Sequence, residues 1–297
     1  MPFIGEIAAL ITAVLWSATA ICFSEASNRV GPIYVNITRM IFAIFFLFIT
    51  FLFLNIRFDL SIHQVINLAI SGFIGLVIGD TFLFKAFKSI GARLSMLIMA
   101  LVPAMSSLMA YMFLGERLSP WGIIGMFITI AGIILVVFKR EEKPSGHYKI
   151  KYTGIFFAII GAAGQAVGLI YAKFAFNDGD INSFEATFIR IFSAIIILYP
   201  MAMMTSRFIN PVKIYRNDKR ALIFTIIGSF LGPFLGITFS LISISHTQVG
   251  IAATIMATVP IIMLPMVRYY YREKLTWISI FGAFIAVAGI SVLSLFR

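Results

Sequence analysis

Residues 98–103 read Ile98-Met99-Ala100-Leu101-Val102-Pro103, and 157 residues further on the chain reads Ile255-Met256-Ala257-Thr258-Val259-Pro260. The same offset carries Glu116-Arg117-Leu118 onto Glu273-Lys274-Leu275. It carries Gly125, Ala131 and Gly132 onto Gly282, Ala288 and Gly289, and Gly75, Gly79 and Phe82 onto Gly232, Gly236 and Phe239. A slightly shorter offset pairs Arg39-Met40-Ile41-Phe42-Ala43-Ile44 with Arg190-Ile191-Phe192-Ser193-Ala194-Ile195. Apolar strings resemble one another by composition alone. Composition does not place two arginines, two prolines and two glutamates in register, so the chain is read as a duplication.

What is duplicated is a set of membrane spans. The 297 residues are 61% hydrophobic and only 12% charged, against about 25% charged in ordinary soluble domains. Charge-free runs such as Leu94–Gly115, Leu118–Phe138, Tyr152–Ala172 and Leu275–Phe296 reach the ~20 residues that cross a bilayer as a helix. Helices buried in a soluble core seldom stay apolar on every face. Hydropathy predicts ten spans, at about 4–24, 33–54, 66–84, 94–113, 120–138, 153–173, 186–205, 221–241, 248–267 and 276–296. The charged segment 139–151, with Pro144-Ser145-Gly146 inside it, reads as the linker between a first repeat, 1–138, and a second, 152–297. Five spans is an odd number, so the second copy enters the membrane from the opposite side. The expected fold is an all-α polytopic membrane protein: ten transmembrane helices arranged as two inverted five-helix repeats. Inverted repeats commonly serve alternating access, with the binding site at the repeat interface near mid-membrane.

Several function classes are excluded. A single cysteine, Cys22, rules out an intrachain disulfide framework and a thiolate cluster. His63, His147 and His246 are far apart in sequence, and no HExxH, Walker or dinucleotide-binding pattern occurs. We therefore expect no cofactor, no metal site and no enzyme chemistry. Without an ATP-binding sequence, any drive must come from a gradient or a partner. The first helix has the length and apolar character of a signal peptide, with Ala18-Thr19-Ala20 as a cleavage site. It lacks a basic n-region and carries Glu6, and the repeat claims it as a retained span. The net charge of +11 reads as attraction to anionic lipid headgroups rather than to nucleic acid, because no long basic tract or soluble module accompanies it.

The 5+5 duplication, the turn Leu114-Gly115-Glu116-Arg117-Leu118 and the following Gly125…Ala131-Gly132 resemble the EamA-type members of the drug/metabolite transporter superfamily. The likeness covers essentially the whole chain. It implies ten helices around a central cavity, and export or exchange of small metabolites, often amino acids or related compounds. The cell membrane is the expected location, the inner one in a Gram-negative source.

Basic residues bear on orientation. Seventeen Lys and Arg fall in loops after odd-numbered spans and four on the other side. The positive-inside rule then places both termini outside, whereas the resemblance implies both in the cytoplasm.

Two charges sit unexpectedly inside spans. Arg39 lies about six residues into the second span and Asp80 about four residues before the end of the third, which puts them at similar depth on the same side. Either they form a static ion pair, or Asp80 is solvated at the interface beside a snorkelling Lys85. A gating or coupling role and direct substrate contact are the functional alternatives. Arg190 is the mirror mate of Arg39, while the mate of Asp80 is Ile237, so the halves are chemically unequal. Glu185 either serves Arg190 or is an exposed charge at a helix N-terminus. Pro103 and Pro260 fall inside spans four and nine as hinges or fixed kinks, and Gly232-Pro233 with Gly236 is a similar element. Glu116 and Glu273 favour the positive ends of the helices that follow them. The glycines and alanines of spans five and ten suit close packing, between halves or between the protomers of a homodimer. The substrate cavity is expected to collect Trp16, Ser17, Asn36, Arg39, Asp80, Phe84, Gln165, Tyr171, Arg190, Thr254 and Thr258, where Trp16 and Gln165 align between the first and sixth helices. The expected partners are a small-molecule substrate and the bilayer. A structural or sensory membrane protein and a membrane-embedded enzyme are the rival readings.

Overall fold

A computed structural model describes residues 3–54, 60–115, 119–138, 152–204, 210–247, 249–272 and 275–295. The linker 139–151, Glu116, Arg117, Glu273 and the side chain of Thr254 lie outside the described residues. Among the described residues every regular element is helical. The first half holds α1 (Ile4–Val30), α2 (Pro32–Leu54), α3 (Ile62–Gly72), α4 (Asp80–Met99), α5 (Val102–Phe113) and α6 (Pro120–Phe138). The second holds α7 (Tyr152–Asn177), α8 (Ser183–Met203), α9 (Pro211–Asn217), α10 (Lys219–Ser229), α11 (Ile237–His246), α12 (Val249–Met256), α13 (Val259–Tyr270) and α14 (Trp277–Leu295). Seven-residue π-helical turns, Phe73–Gly79 and Phe230–Gly236, join α3 to α4 and α10 to α11.

The duplication seen in sequence recurs in the backbone. Helices α3, α5 and α6 start and stop 157 residues before α10, α13 and α14, and the two π turns obey the same offset. Helix α4 is interrupted at Gly91, whose φ of 79° and ψ of 167° leave the helical region. Glycine takes that conformation at no steric cost. In the second half the corresponding chain is split between α11 and α12.

Among the described residues, six helical stretches are long and apolar enough to cross a membrane: 4–30, 32–53, 62–99, 152–177, 183–203 and 219–246. Shorter apolar helices occupy 102–113, 120–136, 259–270 and 277–292. The predicted fourth and ninth spans are thus each divided. Their breaks fall at Ala100–Leu101 and Ala257–Thr258, immediately before Val102 and Val259.

These breaks correct the expected role of two prolines. Pro103 and Pro260 stand in the first turn of α5 and α13, not in the middle of a kinked helix. The first-turn N–H groups have no intrahelical acceptor, so proline is tolerated there.

Alanines fill many of the buried helix contacts, and several large apolar side chains face outward. Ala9, Ala13, Ala158, Ala162, Ala166, Ala186 and Ala194 are fully buried, while Phe45, Phe48, Phe53, Phe127, Trp277 and Phe281 are exposed. Small side chains let helix backbones approach where lipid offers no hydrophobic drive between helices. Outward-facing phenylalanines suit a hydrocarbon surround. The first helix of each half lies in the other half: α1 packs on α10 to α13, and α7 on α3, α4 and α5. Helix α6 packs on α14. There a Cβ on Gly132 would come within 2.5 Å of Ala286 N, and one on Gly282 within 3.0 Å of Gly132 O. The small residues of these two helices therefore join the halves of one chain.

Candidate functional site

The π turn Phe73–Gly79 frees backbone carbonyls that polar side chains then use. The N–H of Asp80 bonds to Gly75 O, the five-residue step that defines this turn. Gln165 Nε2 of α7 also donates to Gly75 O, at 3.2 Å, and Asn36 Nδ2 of α2 donates to Leu76 O at 3.1 Å. Such turns are uncommon and often mark functional places. The approach of α7 depends on glycines on both sides. A Cβ on Gly164 would meet Gly79 Cα at 2.8 Å, and one on Gly168 would meet Gly75 Cα at 3.1 Å.

This arrangement settles how Asp80 is held. Arg39 Nη2 donates to Asp80 Oδ2 in a buried ion pair. Gln165 Nε2 donates to the other carboxylate oxygen at 2.6 Å. Arg39 Nε donates to Asn36 Oδ1 at 2.8 Å, and Asn36 Nδ2 reaches Thr81 Oγ1 at 2.9 Å. The Arg39 guanidinium also lies 4.8 Å from the ring centre of Phe84 and 5.5 Å from that of Phe23. Arg39 is 4% exposed and Asp80 5%. Removing two such ions from water costs several kcal/mol each, offset only when partners satisfy both groups. Here three elements and two aromatic faces do so. Interfacial solvation beside Lys85 is not what the structure shows, since Lys85 Nζ sits 4.8 Å over the ring of Phe82 instead.

Beside this network lies a cavity of about 1000 Å³, its mouth included. It is lined by Trp16, Arg39, Asp80, Phe84, Gln165 and Arg190 among the expected residues. Pro103 and Pro260 also line it, as do Gly232 and Pro233 of the second π turn. Four expected residues are not in its wall. Ser17 is fully buried and donates to Ala13 O, and Thr258 is half-buried and bonds to Ile255 O at the break before α13. Tyr171 stacks edge-on against Phe174. Asn36 stands behind Arg39 and fixes it rather than facing the cavity. The wall also contains Thr19, Phe23, Leu83, Phe87, Met96, Met99, Ser240 and Met256, which the sequence reading did not select. Their signal was present for Met99 and Met256, which belong to the repeated Ile-Met-Ala stretch.

The mirror half repeats the arginine, one threonine and the π turn of this site, with its two amides and its acid replaced. Thr187 and Thr238 stand at the positions of Asn36 and Thr81, and their hydroxyls meet at 3.2 Å. Trp16 lies against the second π turn as Gln165 lies against the first: a Cβ on Gly236 would come within 2.7 Å of Trp16 Nε1. Ile237 lines the cavity where Asp80 has its counterpart. Glu185 is buried rather than exposed, which corrects the interfacial reading, and it is not in the cavity wall.

The model of the EamA-like transporter family matches this chain twice, over residues 3–138 and 152–295. The chain belongs to the EamA-like transporter family. As an EamA-like chain with six long apolar helices, it is a multi-pass membrane protein of a family of small-molecule transporters. The two matches leave out 139–151, where the sequence placed its linker. One solved structure, described only as a crystal structure of a protein, is 16% identical over 99% of this chain and 99% of its own, with a TM-score of 0.71. At that identity the likeness concerns the fold alone. No curated protein sequence matches the chain.

Proposed function

We propose that this EamA-like chain is a secondary carrier that exports or exchanges small organic metabolites, amino acids or related compounds among them, by alternating access. In this reading the chain makes ten crossings of the cell membrane as two inverted five-helix repeats, the fourth built from the end of α4 with α5 and the ninth from α12 with α13, each across its break. One observation carries the proposal: the cavity is walled by the irregular backbone of both halves at matched positions. Leu76 comes from the first π turn and Gly232 and Pro233 from the second, and Ala100 and Pro103 flank one helix break as Ala257 and Pro260 flank the other. Non-helical backbone at membrane depth is tolerated where it lines a cavity or is buried in protein. Matched breaks on two sides of a site are also what a body needs to rock about it. A homodimer would need a face other than the small residues of α6 and α14, which the halves already use.

The test compares metabolites released by cells with and without the protein, followed by exchange of each candidate in proteoliposomes. The expected result is at least one small solute whose export and exchange require the protein. No solute moving in either assay contradicts the carrier reading.

The breaks themselves are testable. Pro103→Ala restores an N–H in a first helical turn, where no intrahelical carbonyl awaits it, so the fold should lose little stability. It also removes the ring that would clash with the carbonyl of Met99 if the preceding helix ran on through residue 103. We expect transport several-fold slower with unchanged solute affinity, for Pro103→Ala and Pro260→Ala alike. Unchanged rates in both would leave the prolines as fixed shape only.

A further inference from the structure

Resting on that carrier reading, we propose that Arg190 holds the carboxylate of the transported solute, a small organic acid with an apolar body. Three ionic side chains line the cavity: Arg39, Asp80 and Arg190. Arg39 and Asp80 satisfy each other. Arg190 is 2% exposed, its Nε is buried without a hydrogen-bond partner, and it makes no salt bridge among the described residues. A guanidinium stays protonated under any physiological condition. The charge of Asp80 reaches Arg190, but its oxygens are bonded to Arg39 and Gln165, and a buried guanidinium with no carboxylate bonded to it is costly unless something arrives to pair with it.

The mirror comparison says what is missing. Around Arg39 the set is an arginine, an amide, a threonine, a π turn and a carboxylate. Around Arg190 the arginine, one threonine and the second π turn recur, Thr187 stands for Asn36 and Trp16 for Gln165, and the carboxylate is replaced by Ile237. A solute carboxylate beside Arg190 completes the second set. Gly75 leaves room for it, since a Cβ there would already lie 3.4 Å from Arg190 Nη2. Thr19, another cavity residue, has a buried hydroxyl with no partner.

The charge count narrows the class. The lining charges sum to one positive, so one negative charge on the solute neutralises the cavity. The guanidinium fork matches a planar carboxylate in two parallel bonds. A phosphate dianion would need a second free cation, and Arg39 is already committed. The remaining wall, including Leu83, Phe87, Met96, Met256 and Val259, suits an apolar body.

The test uses the purified full-length chain and four probes: phenylacetate, phenylacetamide, phenethylammonium and inorganic phosphate. Thermal unfolding reads binding without requiring transport. Phenylacetate should raise Tm with concentration, and the other three should not. Arg190→Gln should unfold no earlier than wild type without ligand, because a buried unpaired charge has been removed. It should need at least about ten-fold more phenylacetate for the same shift, the loss expected for a hydrogen bond to a charged group. Arg190→Lys keeps the charge but not the fork and should fall between; it also carries the test alone if Arg190→Gln does not fold. The proposal is overturned if phenylacetate gives no shift, if any other probe matches it, or if the variants respond as wild type does. Proteoliposomes that move the amide or the amine while phenylacetate is inert would keep the carrier reading and overturn this one. Phenylacetate binding that depends on Arg190, with no solute ever transported, would do the reverse.

Discussion

Asp80→Asn should lower Tm by several degrees and abolish transport. The substitution leaves the Arg39 guanidinium buried with Asn36 and two aromatic faces as its company. Breaking a buried ion pair by removing one partner costs about 3–5 kcal/mol, reduced where cavity water can reach the orphaned charge. The amide keeps one acceptor oxygen, so either Arg39 or Gln165 retains its bond and the other faces an NH2 donor. A thermal melt checks the first effect and solute exchange the second. The charge-swapped protein, Arg39→Asp with Asp80→Arg, should not recover. It would set a carboxylate against the rings of Phe23 and Phe84, whose negative faces suit only a cation, and present Asn36 Oδ1 to another acceptor. The double neutral variant Arg39→Gln with Asp80→Asn should instead be more stable than Asp80→Asn alone, because no charge is stranded. Equal stability of the two would mean that Arg39 is not what Asp80 supports.

Gly72→Ala should be nearly as damaging, for a purely steric reason. A Cβ there would overlap the carbonyl oxygen of Arg190 and lie 2.9 Å from its Cα. Both obstacles are backbone, so no rotamer change relieves them, and α3 must move off α8. Overpacking of this kind costs about 1–3 kcal/mol and occasionally more. It would also displace Arg190 from the cavity, so solute affinity should fall with Tm. The mirror position shows that the π turn itself does not demand glycine. Ser229 stands there, fully buried, its hydroxyl bonded to Thr225 O at 2.5 Å. Ser229→Ala forfeits that one bond, a loss of about 0.5–1.5 kcal/mol, and should leave transport intact. A Gly72→Ala protein as stable as wild type would mean that α3 and α8 are farther apart than described.

How much of this was readable in the sequence follows from what repeats and what does not. The duplicated Ile98–Pro103 stretch announced the two halves, and its prolines do fall on the cavity wall. Arg39 and Asp80 were legible as partners because each is an expensive charge at a matched depth, and expensive charges need company. Trp16 and Gln165 came from aligning the two first helices, and both face the site against a π turn. What hydropathy could not show is where a span is interrupted. The glycines of the π turns meet another helix, and that approach is a tertiary fact, while the break at Gly91 rests on a backbone conformation that hydropathy does not read. For the same reason Ser17, Asn36 and Tyr171 pointed elsewhere: polarity on a helix does not say which of its faces turns inward. Thr19 and Met96 carried no local signal and became visible only once α1 was found lying in the opposite half.

The central claim is that the cavity between the halves opens to each side of the membrane in turn. Met99 is half-buried in the cavity wall, so Met99→Cys in a Cys22→Ser background reports its access. The measurement is labelling by a small membrane-impermeant thiol reagent, applied separately to right-side-out and inside-out vesicles. The account predicts reaction from both sides, slowed from each by a transported solute and without leakage of the reagent across the membrane. Reaction from one side only, with solute present or absent, would contradict it.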